Sequence, residues 1–397
     1  MNGDHSSKTF SSQDREVVMA QNRRPEFNSL IRYRVAVATA LLFSLTSAFG
    51  SSADVNISEL QRAADKGFIA KEIELAGDYF VGRGVQQDSK MAAFWYEKAA
   101  ESGDPEAENE IGFFYQNGEG VPVDLNRAIH WYQLASASGF PLAKVNLGVM
   151  YCWGIGVQKD EMLGAQLFRE AAEKGSGVAA TYLGTMYYFG KGVKQDQKAA
   201  ETWFEIGIKR HEPMAEYNMG SLLTVGRDHK QNLPQGANLL RQSAGAGYVP
   251  AIYSLGLLLT NHPELANSTQ EAFTLLQTAA NAGWWRSSVV LGILARDGLG
   301  DSPGPESAYY HFQIAILQGG EPATLLVARD LAALSGRLGD EKRNELTTAA
   351  NAWFGQHKTA LGFVFKEREH SKRFPGSALS LPPEDIHAGM LLPAPPS

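Results

Sequence analysis

Residues 151–160 read YCWGIGVQKD. The stretch holds the chain's only cysteine, Cys152, beside Trp153 and a Gly-x-Gly. Alone, it would fit a reactive thiol or a loop that cradles phosphate. Its counterparts elsewhere in the chain decide the matter. The same Tyr-x-x-Gly-x-Gly-Val-x-x-Asp phrase runs from Tyr79 to Asp88, from Tyr115 to Asp124 and from Tyr187 to Asp196, a recurrence every 36 residues. Self-similarity at such a period marks a solenoid of stacked units. The phrase is therefore repeat grammar, and only Cys152 and Trp153 are particular to this copy.

The register persists where the glycines fade. The Asp column continues as Asn232, Ser268, Gly304 and Asp340. All but Gly304 are strong helix N-cap types, and Pro305 after Gly304 is a favoured first helical residue. A second glycine column reads Gly67, Gly103, Gly139, Gly175, His211, Gly247, Gly283, Gly319 and Gly355. A Leu/Ile/Met-Gly column runs from Ile111-Gly112 through Leu147-Gly148, Leu183-Gly184, Met219-Gly220 and Leu255-Gly256 to Leu291-Gly292. Each unit reads as two helices. In helix A, a small residue, Leu-Gly and Tyr fall on one face. The Gly-x-Gly ends it, because a left-handed C-terminal residue is cheap only for glycine. The Asp caps helix B, which carries Trp/Phe-Tyr followed by alanines, as in Trp95-Tyr96 with Ala99-Ala100. Aromatic rings fill the space between helices, and alanines permit close approach. One such pair cannot bury its own apolar face, so stacking is obligatory.

The full phrase is Ala-x3-Leu-Gly-x2-Tyr-x2-Gly-x-Gly-Val-x2-Asp-x3-Ala-x2-Trp-Tyr-x2-Ala-Ala-x2-Gly. It is nearly complete in the units starting near residues 70, 106, 142 and 178 and degraded but in register to about 356. It resembles the Sel1-like repeat family, relatives of the tetratricopeptide repeats. The resemblance implies an all-α fold: an α-solenoid, a right-handed superhelix of about eight 36-residue helix-turn-helix repeats. It also implies an interaction surface rather than one chemistry. Relatives of this kind act in bacterial envelope signalling, exopolysaccharide production and polysaccharide export, and in eukaryotic endoplasmic-reticulum degradation complexes. Some bacterial members are cysteine-rich, with a disulfide in each repeat and a reputed β-lactam-hydrolysing activity. This chain lacks those cysteines.

The expected organisation is a 1–53 N-terminal extension with a signal peptide, a 54–356 solenoid, and a 357–397 C-terminal helix with a Pro-rich disordered tail. Residues 57–66 read as an N-terminal capping helix, and residues 341–354 as the last helix B with Asp340 as its N-cap. In the extension, Arg23, Arg24, Arg32 and Arg34 precede the apolar run Val35 to Leu45, and small residues come after it. That is the layout of a secretory signal, about residues 19–53 if Met19 is the start. The apolar run is short for a membrane span, which needs about 20 residues. The expectation is a periplasmic or secreted protein with no stable membrane span after signal cleavage; the alternative is an uncleaved anchor.

The chain carries 36 Lys and Arg against 43 Asp and Glu. Six of the basic and four of the acidic residues precede residue 54, leaving 30 against 39 in the body. An acidic body argues against nucleic acid as a partner. No His-Glu-x-x-His, Gly-x-Ser-x-Gly or Walker-type loop is present. No catalytic residue, metal site or cofactor is assigned, and the chain reads as a non-enzyme. Cys152 as a nucleophile would need a base and an electropositive setting, and the sequence offers neither nearby.

Function is then expected on the concave face of the stack. The tetratricopeptide arrangement, carried over, places Asn109, Phe113, Gln116, Trp153, Tyr188, Phe189, Tyr217, Tyr253 and Arg296 there. The groove so drawn suits an apolar peptide or amphipathic helix of a protein partner, with aromatic anchors. The leading expectation is an exported adaptor or scaffold regulating an envelope process such as exopolysaccharide production. The competing one is a glycan- or cell-wall-binding protein or hydrolase using the same aromatic groove. Hydrolysis would need paired carboxylates about 5–10 Å apart, and no convincing pair stands out. A third is a secreted effector engaging host proteins.

Overall fold

The computed structural model describes residues 57–226, 231–268 and 270–373, with side chains as far as residue 357. The expected signal peptide and the Pro-rich tail from Phe374 lie outside the described residues. The described residues form seventeen α-helices and no strand. They divide into two compact units, residues 57–210 and 211–373.

The first unit opens with α1 (Ile57–Asp65), at the place of the expected capping helix. Four A/B pairs come next: α2 (Ile69–Val81) with α3 (Ser89–Glu101), α4 (Pro105–Asn117) with α5 (Leu125–Ala137), α6 (Pro141–Trp153) with α7 (Glu161–Glu173), and α8 (Gly177–Phe189) with α9 (Gln197–Lys209). The second unit contains α10 (Pro213–Val225) with α11 (Leu233–Gly245), α12 (Val249–Asn261) with α13 (Glu271–Asn281), and α14 (Trp285–Arg296) with α15 (Pro305–Gly319). It ends with α16 (Glu321–Ser335) and α17 (Asp340–Arg373).

The repeated phrase has a direct structural cause. In the turn after α4, Gly118 adopts φ 72° and donates to the Phe114 carbonyl, ending the helix. Six residues on, the Asp124 N–H donates back to the Tyr115 carbonyl at 2.9 Å, closing the loop. The Asp124 carboxylate then accepts from the N–H groups of Asn126 and Arg127 and starts α5. Asp88, Asp160, Asp196 and Asn232 close and cap their turns in the same way. The second glycine, Gly120 (φ 69°), lies against the first residue of the preceding B helix; a methyl group there would overlap the Ser89 carbonyl.

The Leu-Gly column has a different origin. It is helical, and each glycine leaves room for the large side chain of the next B helix. A Cβ at Gly112 would stand 2.9 Å from the Tyr132 ring, at Gly148 2.7 Å from Phe168, and at Gly292 2.5 Å from Phe312. Tyr132, Phe168, Phe204 and Phe312 are fully buried as a result. This ring-over-glycine contact, repeated in register, couples the two helices of a pair.

His211 occupies the second glycine column and is the only non-glycine residue with positive φ, 54°, among the described residues. Left-handed backbone costs an L-residue about 1–2 kcal/mol. His211→Gly is therefore expected to stabilise the protein by roughly 1 kcal/mol, after allowing for glycine's looser unfolded chain. A midpoint in urea that falls below the wild-type value would contradict this.

Four expectations at the C-terminal side, at Ser268, Gly319, Asp340 and Gly355, are corrected. Ser268 caps nothing: α13 starts at Glu271 after Gln270, and the Glu271 carboxylate reaches back to the Asn267 N–H instead. Gly304 does cap α15, with Pro305 at its first turn. Gly319 stays inside α15, and the positive φ moves one residue on, to Gly320 (63°). Gly355 ends no helix. No second loop-and-cap phrase comes after it, so the chain continues as one 34-residue helix, α17, in which Asp340 is the first helical residue. A mid-helix glycine costs about 1 kcal/mol relative to alanine, which α17 tolerates. Among the described residues no helix is long and apolar enough to cross a membrane.

Candidate functional site

In the first unit the helical period draws one lengthwise stripe along each A helix, open at some positions and buried at others, among them Phe113, Asn146, Val149, Trp153, Tyr182 and Thr185. In α4, Glu106 is exposed and Glu110 and Asn117 are half-buried, at spacings of four and seven with Phe113 between them. The equivalent stripes are Ala70, Glu74, Gly77 and Val81 in α2, Leu142, Asn146, Val149 and Trp153 in α6, and Val178, Tyr182, Thr185 and Phe189 in α8. Side chains join these helices laterally. Phe80 packs against Phe114 at 5.2 Å, and Trp153 meets Tyr182 edge-on at 6.5 Å.

The residues expected to bind a partner divide by what they touch. Asn109 is 1% exposed and accepts a hydrogen bond from the Asn146 amide at 2.9 Å. Its own amide donates to the Glu110 carboxylate at 3.0 Å. Phe113 packs on Phe114 at 6.2 Å. The Gln116 oxygen accepts from the Tyr132 hydroxyl at 2.8 Å, inside the repeat. Trp153 keeps a sliver of surface, 8%. Tyr188 and Phe189 are half-buried and T-shaped to each other at 4.8 Å, with Lys191 over the Phe189 ring. In the second unit, Tyr217 is buried against Tyr248, and Tyr253 is buried beside Trp284. Arg296 bonds Asp297 at 2.8 Å and Asp330 at 2.7 Å.

Glu110 is the residue that position-by-position carry-over missed. It lies one residue before the Leu-Gly column, and so do Asn146 and Tyr182. The signal was available: exposed Glu106 and aromatic Phe113 share a helical face with position 110. Burial pushes the Glu110 carboxyl from the ordinary 4.5 up to about 7, against the Asn109 hydrogen bond that pulls it down. A folded value above the unfolded one means the carboxyl's contribution to stability is full below about pH 4.5 and lost as pH rises through about 7. Glu110→Gln removes that loss. The melting temperature of the variant should pull ahead of wild type between pH 5 and pH 8; parallel curves across that range would contradict the burial of this carboxyl.

Cys152 is 2% exposed, with its Sγ 3.9 Å from Met186 Sδ. Gly164 stands opposite, where a Cβ would overlap the sulfur. Burial pushes the thiol up to about 12, so it is a packed thiol at neutral pH rather than a thiolate nucleophile. Among the described residues no group of three or more His, Cys, Asp or Glu could hold a metal ion.

The family model described as Sel1 repeat matches seven stretches: residues 72–104, 105–140, 141–176, 177–210, 213–248, 249–284 and 290–320. Together they span more than half of the chain. A crystal structure of a Sel1 repeat protein from Oxalobacter formigenes is 27% identical, covers 57% of this chain and 100% of its own, and has a TM-score of 0.52. A protective antigen with an SLR fold from uropathogenic Escherichia coli is 20% identical, covers 80% of this chain and 89% of its own, with a TM-score of 0.29. None of the curated proteins matches the chain.

Proposed function

This chain belongs to the Sel1 repeat family, whose repeats generally mediate protein interactions, and from that premise we propose that it is an exported adaptor holding a protein partner along the A-helix stripe of residues 57–210. The carrying observation is the chemistry of that stripe. It contains three acidic residues, Glu74 (paired with neighbouring Lys71), Glu106 and Glu110, no lysine or arginine of its own, and the aromatic residues Phe113, Trp153, Tyr182 and Phe189, the first three buried and Phe189 half-buried. An extended or helical segment with apolar anchors and one or two basic residues complements it. Asn109 bonds Glu110 and Asn146 of the stripe, and Gln116 and Tyr188 are the chain neighbours of Asn117 and Phe189. The family is typically a non-enzymatic scaffold fold, and the adaptor role agrees with the absence of catalytic motifs.

Export rests on the arginine-led apolar run before residue 54. It places the adaptor in the periplasm or outside the cell, where an envelope process such as exopolysaccharide production is the expected setting. The test is capture by the full chain in its own host, comparing wild type with Glu106→Lys on the stripe and Gln166→Lys on the exposed side of α7. The proposal requires a partner retained by wild type and Gln166→Lys and lost by Glu106→Lys. Equal retention by all three would remove the stripe from consideration.

A further inference from the structure

The second unit contains a cavity of about 600 Å³ between α13, α14, α15, the loop after α14 and the side of α17. Its lining comes from both A and B helices of the second unit, whereas the partner-binding stripe consists of first-unit residues. Its origin is legible in the repeat register. Position 311 belongs to the column that reads Trp95, Trp131, Leu167, Trp203, Leu239 and Leu275, the residues that fill the space beside each B helix. In the last pair the column holds His311, which is smaller than tryptophan and polar. The space is bounded instead by Trp353 from α17, a helix with no counterpart in the earlier repeats.

The lining combines two chemistries. Phe273, Leu291, Ile314 and Trp353 supply apolar and aromatic walls. His311, Tyr310, Ser302 and Ser307 supply polar groups; the Tyr310 and His311 rings meet edge to face at 5.5 Å, and burial is the one influence that shifts either group. Desolvation pushes the His311 imidazole down to about 4, so it is neutral at physiological pH. No lysine or arginine lines the cavity, and its one carboxylate, Asp301, is already bonded by Gln270. A phosphate or carboxylate ligand would therefore meet no counter-charge. The four polar groups are neutral, and each can both donate and accept. A sugar ring carries hydroxyls of the same dual character and C–H faces that lie against aromatic rings. The volume falls in the range of small-molecule sites, about 300–1,000 Å³.

We propose that this cavity binds one or two rings of a neutral sugar, with Tyr310 and His311 hydrogen-bonding its hydroxyls and Trp353 and Phe273 flanking its apolar face. The site is separate from the partner-binding stripe, so either can fail alone. The test is calorimetric titration of the full chain with glucose, galactose, mannose, N-acetylglucosamine and their β-1,4- and α-1,4-linked disaccharides. Glucose 6-phosphate and a proline-rich peptide serve as comparators. At least one neutral sugar should bind saturably. His311→Trp, which restores the residue found at 95, 131 and 203, should fill the cavity and weaken binding at least about tenfold while melting as cooperatively as wild type. If that variant does not fold, His311→Leu, the residue at 167, 239 and 275, carries the same requirement. Tyr310→Phe should weaken binding severalfold. The proposal is overturned if no neutral sugar saturates, if only the phosphate or the peptide binds, or if the His311 variant binds as wild type does.

Discussion

Gly120→Ala is expected to destabilise the first unit by roughly 3 kcal/mol, far more than an ordinary left-handed glycine would. Two costs coincide there. The residue sits at φ 69°, where a side chain costs about 1–2 kcal/mol. The added methyl also collides with the Ser89 carbonyl, which is backbone and cannot rotate away. Gly192 repeats the situation against the Glu161 carbonyl. Gly103 separates the two costs: its φ is 83°, yet nothing lies within 4 Å of a Cβ built there. Gly103→Ala should therefore lose only the conformational part, about 1–2 kcal/mol. Equal losses for Gly103→Ala and Gly120→Ala in urea unfolding would show that the loop does not press on the preceding B helix.

Phe168→Ala is expected to cost about 3–5 kcal/mol, the range for deleting a buried aromatic ring. The ring is 0% exposed, fills the space that Gly148 leaves open, and stacks on Tyr182 at 4.9 Å with planes 15° apart. It thus joins α6, α7 and α8, and its loss opens a void among three helices. Phe168→Leu should cost much less, since Leu240 and Leu276 fill the same column position in the second unit. A Phe168→Ala protein within about 1 kcal/mol of wild type would contradict this packing account.

These effects track columns that the sequence displays openly. Tyr115, Gly118, Gly120 and Asp124 are close in the chain, and their hydrogen bonds are local, so periodicity alone reveals them. The hidden features depend on contacts between distant residues. Gln116 reads as a groove residue until the Tyr132 hydroxyl, on the next helix, is seen to bond its amide. Glu110 shares a helical face with Glu106 and Phe113 that the sequence displays, but the burial that raises its carboxyl is not written there. Gly355 stands at the correct interval for a helix end, but a glycine turns the chain only when a loop and a new cap succeed it. His311 reads as a degraded repeat position; the cavity beside it exists because Trp353 comes from a helix outside the repeat pattern.

The partner-binding stripe is tested most directly by site-specific photocrosslinking in the native host. A benzophenone side chain is placed singly at Asn117 and Phe189 on the stripe, and at Gln166 on the exposed side of α7. The account predicts one discrete crosslinked partner, the same from positions 117 and 189, and none from 166. Crosslinking from 166 with silence at 117 and 189 would contradict it.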